Sequence, residues 1–160
     1  MIKFIPEFLM VPNTMSQTVV LGVIGSDAHV VGITILEQAF SAAGFDVVNL
    51  GVQTSQEEFA EAAVAHDAQA VLVSSLYGHA EQDCQGFHGV LEERGVDAVS
   101  YIGGNLAVGQ DDFEQTRKTF RELGFDRVFD SETDPEDAVA ALREDLQITP
   151  TESERATISS

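Results

Sequence analysis

Five short apolar runs, rich in Val, Ile and Leu, alternate along the chain with five longer amphipathic segments. Such continuous apolar runs are typical of parallel strands that helices cover on both faces. The alternation therefore predicts an α/β fold with a doubly wound parallel sheet. The predicted strands are residues 19–24, 46–50, 70–74, 98–102 and 127–129. The predicted helices are residues 32–43, 55–66, 81–94, 111–123 and 135–146.

Five strands favour the flavodoxin-like sheet order 2-1-3-4-5, in which strands one and three are neighbours and the chain reverses direction between them. Local signals agree with the helix ends. Ser55 and Glu58 predict a capping box, and Pro135 is predicted at the first position of the last helix. At 160 residues the chain has the length of one domain. We expect an N-terminal extension at 1–17, the domain at 18–146 and a flexible tail at 147–160.

The chain is strongly acidic, with 27 Asp and Glu against 8 Lys and Arg and a net charge of −19. Such a charge repels nucleic acid and anionic membranes. The acids are dispersed rather than clustered, which suits a halophilic protein kept soluble in concentrated salt. The single cysteine, Cys84, excludes an internal disulfide and favours a reducing, cytoplasmic compartment.

Three loops rich in Gly and Ser follow strands that are adjacent in the predicted order. They cover residues 26–32, 74–79 and 103–109. Ligands of such sheets bind at the carboxyl ends of the strands near the reversal point. Small residues there leave a groove and let a ligand approach the backbone closely.

The first of these loops carries a candidate metal ligand, His29, with Asp27 two residues before it. The carboxylate can accept a proton from one ring nitrogen and so make the other a better metal donor. No Cys and His cluster completes a zinc site, which needs about four ligands. A single protein ligand indicates a metal held in a macrocycle, and iron in haem or cobalt in a corrin both fit.

The pattern Asp27-x-His29-x-x-Gly32, with Ser74-x-Leu76 and Gly103-Gly104 downstream, resembles the signature of cobalamin-binding domains. Residues 18–146 are further similar to the small (sigma) subunits of glutamate mutase, also called methylaspartate mutase. Ala28 stands where that family often has Cys between its Asp and His. Because this side chain is not a ligand, we expect the change to be harmless.

The resemblance implies that His29 is the lower axial ligand of cobalt and that Asp27 tunes it. The nucleotide tail of the cofactor would then lie in a slot beside the sheet, with Ser74 and Leu76 against its base and the two glycines making room. The cofactor-contacting residues implied in this way are Ser26, Asp27, Ala28, His29, Val30, Gly32, Ser74, Ser75, Leu76, Gly103, Gly104, Asn105, Leu106, Ala107, Val108 and Gly109.

By the same resemblance the reaction is the adenosylcobalamin-dependent interconversion of L-glutamate and (2S,3S)-3-methylaspartate. The chain would be half of this isomerase, active only with a large epsilon subunit that is a (β/α)8 barrel, with two copies of each chain. The residues agree with that division, because a dicarboxylic substrate favours Arg and none of the six arginines lies in the three loops.

Three other functions occur on folds of this kind. A corrinoid carrier for methyl transfer usually has a helical domain before the corrin domain, and too few residues precede Val19 to form one. A flavodoxin-like electron carrier needs a hydroxyl-rich phosphate loop after strand one, and residues 26–32 do not supply it well. A receiver domain, with Asp27 as phosphoacceptor, needs further acids before it and a Lys after strand five. This chain has Gln17 and Thr18 before strand one and Arg127 at the start of strand five, so it fits that function poorly.

Helical spacing with Phe87 and Leu91 predicts that Cys84 is a buried structural thiol. We expect His66 to complement the dipole at the end of the second helix. His88 is predicted to face solvent.

Overall fold

The sheet has the predicted order, β2-β1-β3-β4-β5, with every neighbouring pair parallel. The computed structural model describes residues 17–25, 31–75, 80–104, 106, 113–130 and 132–146. The strands are β1 (Thr18–Val23), β2 (Asp46–Asn49), β3 (Ala70–Ser75), β4 (Val99–Gly104) and β5 (Arg127–Phe129). The helices are α1 (Val31–Ala42), α2 (Gln56–Ala65), α3 (Ala80–Asp83), α4 (Phe87–Glu93), α5 (Phe113–Leu123) and α6 (Pro135–Leu146).

Each face of the sheet has its own apolar core, as continuous apolar strands require. On one face α1 and α6 cover Val19, Leu21 and Leu72. The other core contains Val20, Val71 and Ile102 and buried side chains of the remaining helices, among them Phe59, Phe87 and Phe120. Successive side chains of a strand point to opposite faces of the sheet, so every second residue of β3 and β4 faces the candidate site.

The predicted capping box is confirmed: the Ser55 hydroxyl accepts from the Glu58 amide at 3.1 Å, and Glu58 accepts from the Ser55 amide at 2.8 Å. His66 caps the other end of α2, and Cys84 is fully buried. Burial raises the pKa of the Cys84 thiol to about 12, so it behaves as the predicted structural thiol.

The single helix predicted at 81–94 is wrong, because the segment is two helices separated by a turn. Gly86 lies between them with φ +78°, in the left-handed region, and α4 begins directly after it. Cys84, Phe87 and Leu91 are nevertheless all buried, so the apolar spacing continues across the turn. For this reason the spacing alone could not reveal that the segment is two helices.

The prediction that His88 faces solvent is also wrong. Its ring packs edge-on against Phe87 and Phe125, with centroids 5.3 and 4.6 Å away. Nε2 shares a hydrogen bond of 2.9 Å with Ser100 Oγ. An imidazole has an apolar body and polar nitrogens. Here the body packs on two aromatic rings and Nε2 is paired with Ser100, while the buried Nδ1 has no hydrogen-bond partner among the described residues.

Candidate functional site

A cavity of about 300 Å³ opens between α1 and α6 at the carboxyl ends of the strands. We call it the slot. Its volume is at the lower end of the range of about 300–1,000 Å³ found for small-molecule pockets. The slot lies over the carboxyl ends of β3, β4 and β5, and the carboxyl edge is where folds of this sheet order bind ligands. Residues that line it include Gly32, Ile35, Leu36, Leu72, Ser74, Tyr101, Gly103, Gly104, Phe129, Asp130, Thr133, Asp134, Pro135 and Ala138.

Small residues form the wall nearest the carboxyl edge. Ser74 of β3 and Gly103 of β4 are paired in register, and both line the slot. A Cβ on Gly103 would lie 3.4 Å from Phe129 Cβ, in ordinary contact, and any longer side chain there would project into the slot. Gly104 has φ +120°, a conformation that strains other residues. The wall is thus kept open by residues that cannot be enlarged without filling it.

Apolar and aromatic side chains form the inner end. Leu72 and Tyr101 pair in register two residues before Ser74 and Gly103, so they face the slot about 7 Å further in. The Tyr101 ring packs edge-on against Phe129 at a centroid distance of 5.5 Å. Its hydroxyl donates to the Asp145 carboxylate on α6. Burial, with the hydrogen bond to Asp145 acting in the same direction, raises the pKa of Tyr101 well above its ordinary value, so the phenol stays protonated.

The connection from β5 to α6 forms a polar rim. Asp130 accepts from the Thr133 hydroxyl at 2.9 Å, and Asp134 accepts from the Glu136 amide at 3.0 Å, which caps α6. These turn residues were missed as candidates, since their pattern reads only as a turn and a helix cap. Their position after the last strand of the same sheet edge was the available signal.

Four of the predicted cofactor-contacting residues lie together at the slot: Gly32, Ser74, Gly103 and Gly104. Two others lie elsewhere. Ser75 is fully buried on the opposite face of the sheet, and its hydroxyl has no hydrogen-bond partner among the described residues. Leu106 is buried in the core of that opposite face.

The remaining predicted residues fall outside the described part of the chain. They include His29, the expected cobalt ligand. Within residues 17–25, 31–75, 80–104, 106, 113–130 and 132–146, no group of three or more His, Cys, Asp or Glu is placed to hold a metal ion. The predicted residues outside these ranges are Ser26, Asp27, Ala28, His29, Val30, Leu76, Asn105, Ala107, Val108 and Gly109.

The slot fits one part of a corrinoid, the base of its nucleotide tail. Leu72, Tyr101, Phe129 and the glycines of β4 line the sheet side of the slot, and Ile35, Leu36 and Ala138 line its helix side, so a flat, mostly apolar base would fit between them. The polar lining groups are Ser74 in the wall and Asp130, Thr133 and Asp134 at the rim, where a sugar and phosphate would lie. Apolar walls with a small number of placed polar groups are the usual composition of cofactor pockets.

Comparisons with known proteins show the family of the chain. The B12 binding domain family matches residues 17–140. Glutamate mutase sigma subunit 1 of Haloarcula marismortui is 71% identical over 141 residues, which cover 88% of this chain and 93% of that protein. Sigma subunit 2 of the same organism is 74% identical over 130 residues, covering 81% and 88%.

Among solved structures, the monomethylamine corrinoid protein of Methanosarcina barkeri superposes with a TM-score of 0.66 at 20% identity. The match covers 87% of this chain and 62% of that one. At this identity the likeness shows a common fold.

Proposed function

The chain belongs to the glutamate mutase sigma subunits, within the B12-binding domain family, and from this premise we propose how it works. It binds adenosylcobalamin from below, with His29 as the axial ligand of cobalt and the nucleotide tail in the slot. A larger subunit covers the upper face, where L-glutamate and (2S,3S)-3-methylaspartate interconvert. The slot, lined by Gly32, Ser74 and the two glycines of β4, is the observation that carries this proposal.

The bound cofactor supplies the radical chemistry, through homolysis of its Co–C bond. The residues of this chain bind and orient it. Gly103 and Gly104 leave space for the base, and Leu72 with Tyr101 excludes water from it. Asp27 holds the His29 ring in one tautomer, the arrangement that raises the basicity of a ligating imidazole.

Substrate recognition belongs to the partner, the large epsilon subunit. Among the described residues, every arginine lies outside the residues that line the slot. Arg127 pairs with Glu144 and Asp145, and Arg117 pairs with Glu114. Because no arginine of the described residues lines the slot, the paired donors for a dicarboxylic substrate come from the partner in this proposal. The assembly holds two copies of each subunit.

We place the enzyme in the cytoplasm of a cell rich in salt. The support is the dispersed acidic surface and the single, buried cysteine. No helix in the described part of the chain is long and apolar enough to cross a membrane.

The proposed axial ligand is tested by electron paramagnetic resonance of Co(II) cobalamin bound to the chain labelled with ¹⁵N-histidine. We expect coupling to one protein nitrogen, which disappears in His29→Ala. The matched control is His66→Ala, which removes an exposed histidine at the end of α2 and should leave the coupling intact. A spectrum without coupling to protein nitrogen in the unsubstituted chain would overturn the assignment.

The reaction is tested by mixing the chain with a large mutase subunit, adenosylcobalamin and glutamate. We expect methylaspartate to form only when both chains are present, and His29→Ala to reduce turnover where His66→Ala does not. If cobalamin binds but methylaspartate is absent with a competent large subunit, the chain is instead a corrinoid carrier for methyl transfer. The likeness to a corrinoid protein is one of fold and does not favour that alternative over the mutase.

A further inference from the structure

Among the side chains at the inner end of the slot, Tyr101 is the one whose tip is held by residues near the amino ends of the strands. Tyr101 is only 2% exposed, and its ring lines the slot beside Phe129. Its hydroxyl reaches past the core to the Asp145 carboxylate. Arg127 binds that same carboxylate twice, from Nε and from the guanidinium terminus, both at 2.8 Å. Arg127 also pairs with Glu144 at 2.7 Å.

These contacts join three elements behind the slot. Tyr101 belongs to β4, Arg127 opens β5, and Asp145 lies in the last turn of α6. Paired, two-point contacts between a guanidinium and a carboxylate fix geometry more strongly than a single hydrogen bond. The hydrogen bond to Arg127 lowers the pKa of Asp145, so the carboxylate stays charged as an acceptor for the phenol.

A second, polar cleft lies beyond this group, at the amino ends of the strands. Its lining includes Val99, Asp126, Arg127 and Asp145, two of which belong to the group that holds Tyr101. The Tyr101 ring therefore lies between the apolar slot and the Arg127–Asp145 pair that borders the polar cleft. A shorter residue at this position would lengthen the slot toward that pair.

From this arrangement, and resting on the proposed binding of cobalamin, we infer that Tyr101 is a positioning residue that sets the depth of the slot and so the size of tail base it accepts. The ring acts as a stop for the far edge of the base. Asp145 and Arg127 keep the ring from swinging into the cleft. Tyr101 therefore discriminates among corrinoids by the length of their nucleotide base.

The test compares three probes on the full chain: cobalamin, a corrinoid whose benzimidazole carries one additional fused ring, and cobinamide, which has no base. Affinities are measured by calorimetric titration with the cobalt in one oxidation state. The unsubstituted chain should bind cobalamin about tenfold or more tightly than the fused-ring probe, the discrimination that a small misfit in an apolar pocket provides. Equal affinity for these two probes overturns the inference without any variant.

Tyr101→Leu should reduce that preference to about threefold or less, since the stop is shortened, while cobinamide affinity is unchanged. Tyr101→Phe keeps the ring but loses its hydrogen bond to Asp145, so its preference should lie between those of Tyr101→Leu and the unsubstituted chain. The matched control is Phe120→Leu, which shortens a buried aromatic residue of α5 in the core of the opposite sheet face. It should lower stability and leave the preference intact.

A preference that stays at the unsubstituted value in folded Tyr101→Leu overturns the inference, as does an equal loss of preference in Phe120→Leu. Failure of the proposed function gives a different result in the same titration. In that case the unsubstituted chain binds neither cobalamin nor cobinamide.

Discussion

His88 is held in its neutral form by the fold. Burial lowers its pKa, although the carboxylates of Asp126 and Glu92 act in the opposite direction. The unfolded imidazole titrates near 6.5, so below that pH the unfolded chain binds a proton that the folded chain resists. The free energy of unfolding contributed by His88 is therefore highest above about pH 6.5 and falls as the pH drops toward the lowered native pKa.

We expect urea unfolding midpoints to decrease between pH 7.5 and pH 5, and to decrease less in His88→Gln. Val64→Ala, which changes an exposed side chain without a titratable group, serves as the control and should keep the full decrease. A decrease of the same size in His88→Gln would contradict the assignment of this pH dependence to His88.

Substitutions of Gly103 test whether the wall of the slot contacts the bound cofactor. An added methyl group makes ordinary contact with Phe129, so Gly103→Ala should fold normally. Gly103→Leu places further carbons in the slot, and overpacking of about 1–3 kcal/mol corresponds to a loss of cobalamin affinity of about fivefold to 150-fold. Spectroscopic titration measures the loss.

The control for that change is Gly89→Leu, because a side chain there meets nothing within 4 Å on the exposed surface of α4. Its cobalamin affinity should match the unsubstituted chain. If Gly103→Leu binds cobalamin as well as this control does, the base does not occupy the slot.

The glycines of the wall could be predicted from sequence because the resemblance points to them. Tyr101 and Phe129 could not, since an aromatic residue in an apolar strand has the same pattern whether it fills a core or borders a cavity. The slot is a volume next to the core that no side chain fills. No residue type in the sequence signals such an empty volume. The hydroxyl contact to Asp145, 44 residues away, is likewise invisible in local spacing.

At the scale of elements, the turn between α3 and α4 depends on the left-handed conformation of Gly86. Gly86→Ala should lower the free energy of unfolding by about 1–2 kcal/mol, the cost of that conformation for a residue with a Cβ. Gly89→Ala is the paired change, in the interior of α4 with open space around it. It should raise stability by about 0.5–1 kcal/mol, because glycine is a poor helix former.

Denaturant unfolding of the two variants measures both effects. Equal effects of the same sign would mean that the segment can adopt the continuous helix that its apolar spacing suggests.

The strands and the order of the sheet were predictable, because apolar runs and turn signals alternate regularly along the chain. The break at Gly86 was not, since helices tolerate a glycine and only the backbone angle distinguishes the two cases.

At the scale of the whole molecule, the net charge of −19 opposes compaction. Its described ion pairs are few and mostly exposed, so they offset little of this repulsion. The screening length is about 10 Å at 0.1 M salt and about 3 Å at 1 M. Repulsion between carboxylates on neighbouring helices is therefore felt in dilute buffer and nearly removed in concentrated salt.

We expect the melting temperature to rise steeply with KCl up to about 1 M and more gently beyond it, as screening saturates. A variant with Glu93→Gln, Asp97→Asn and Glu132→Gln, all at exposed positions, should melt higher than the unsubstituted chain in dilute buffer. In concentrated KCl the two should converge, because the removed repulsion is already screened. A melting temperature that is independent of KCl, or a variant that gains equally at every salt concentration, would show that charge repulsion does not set the stability of this chain.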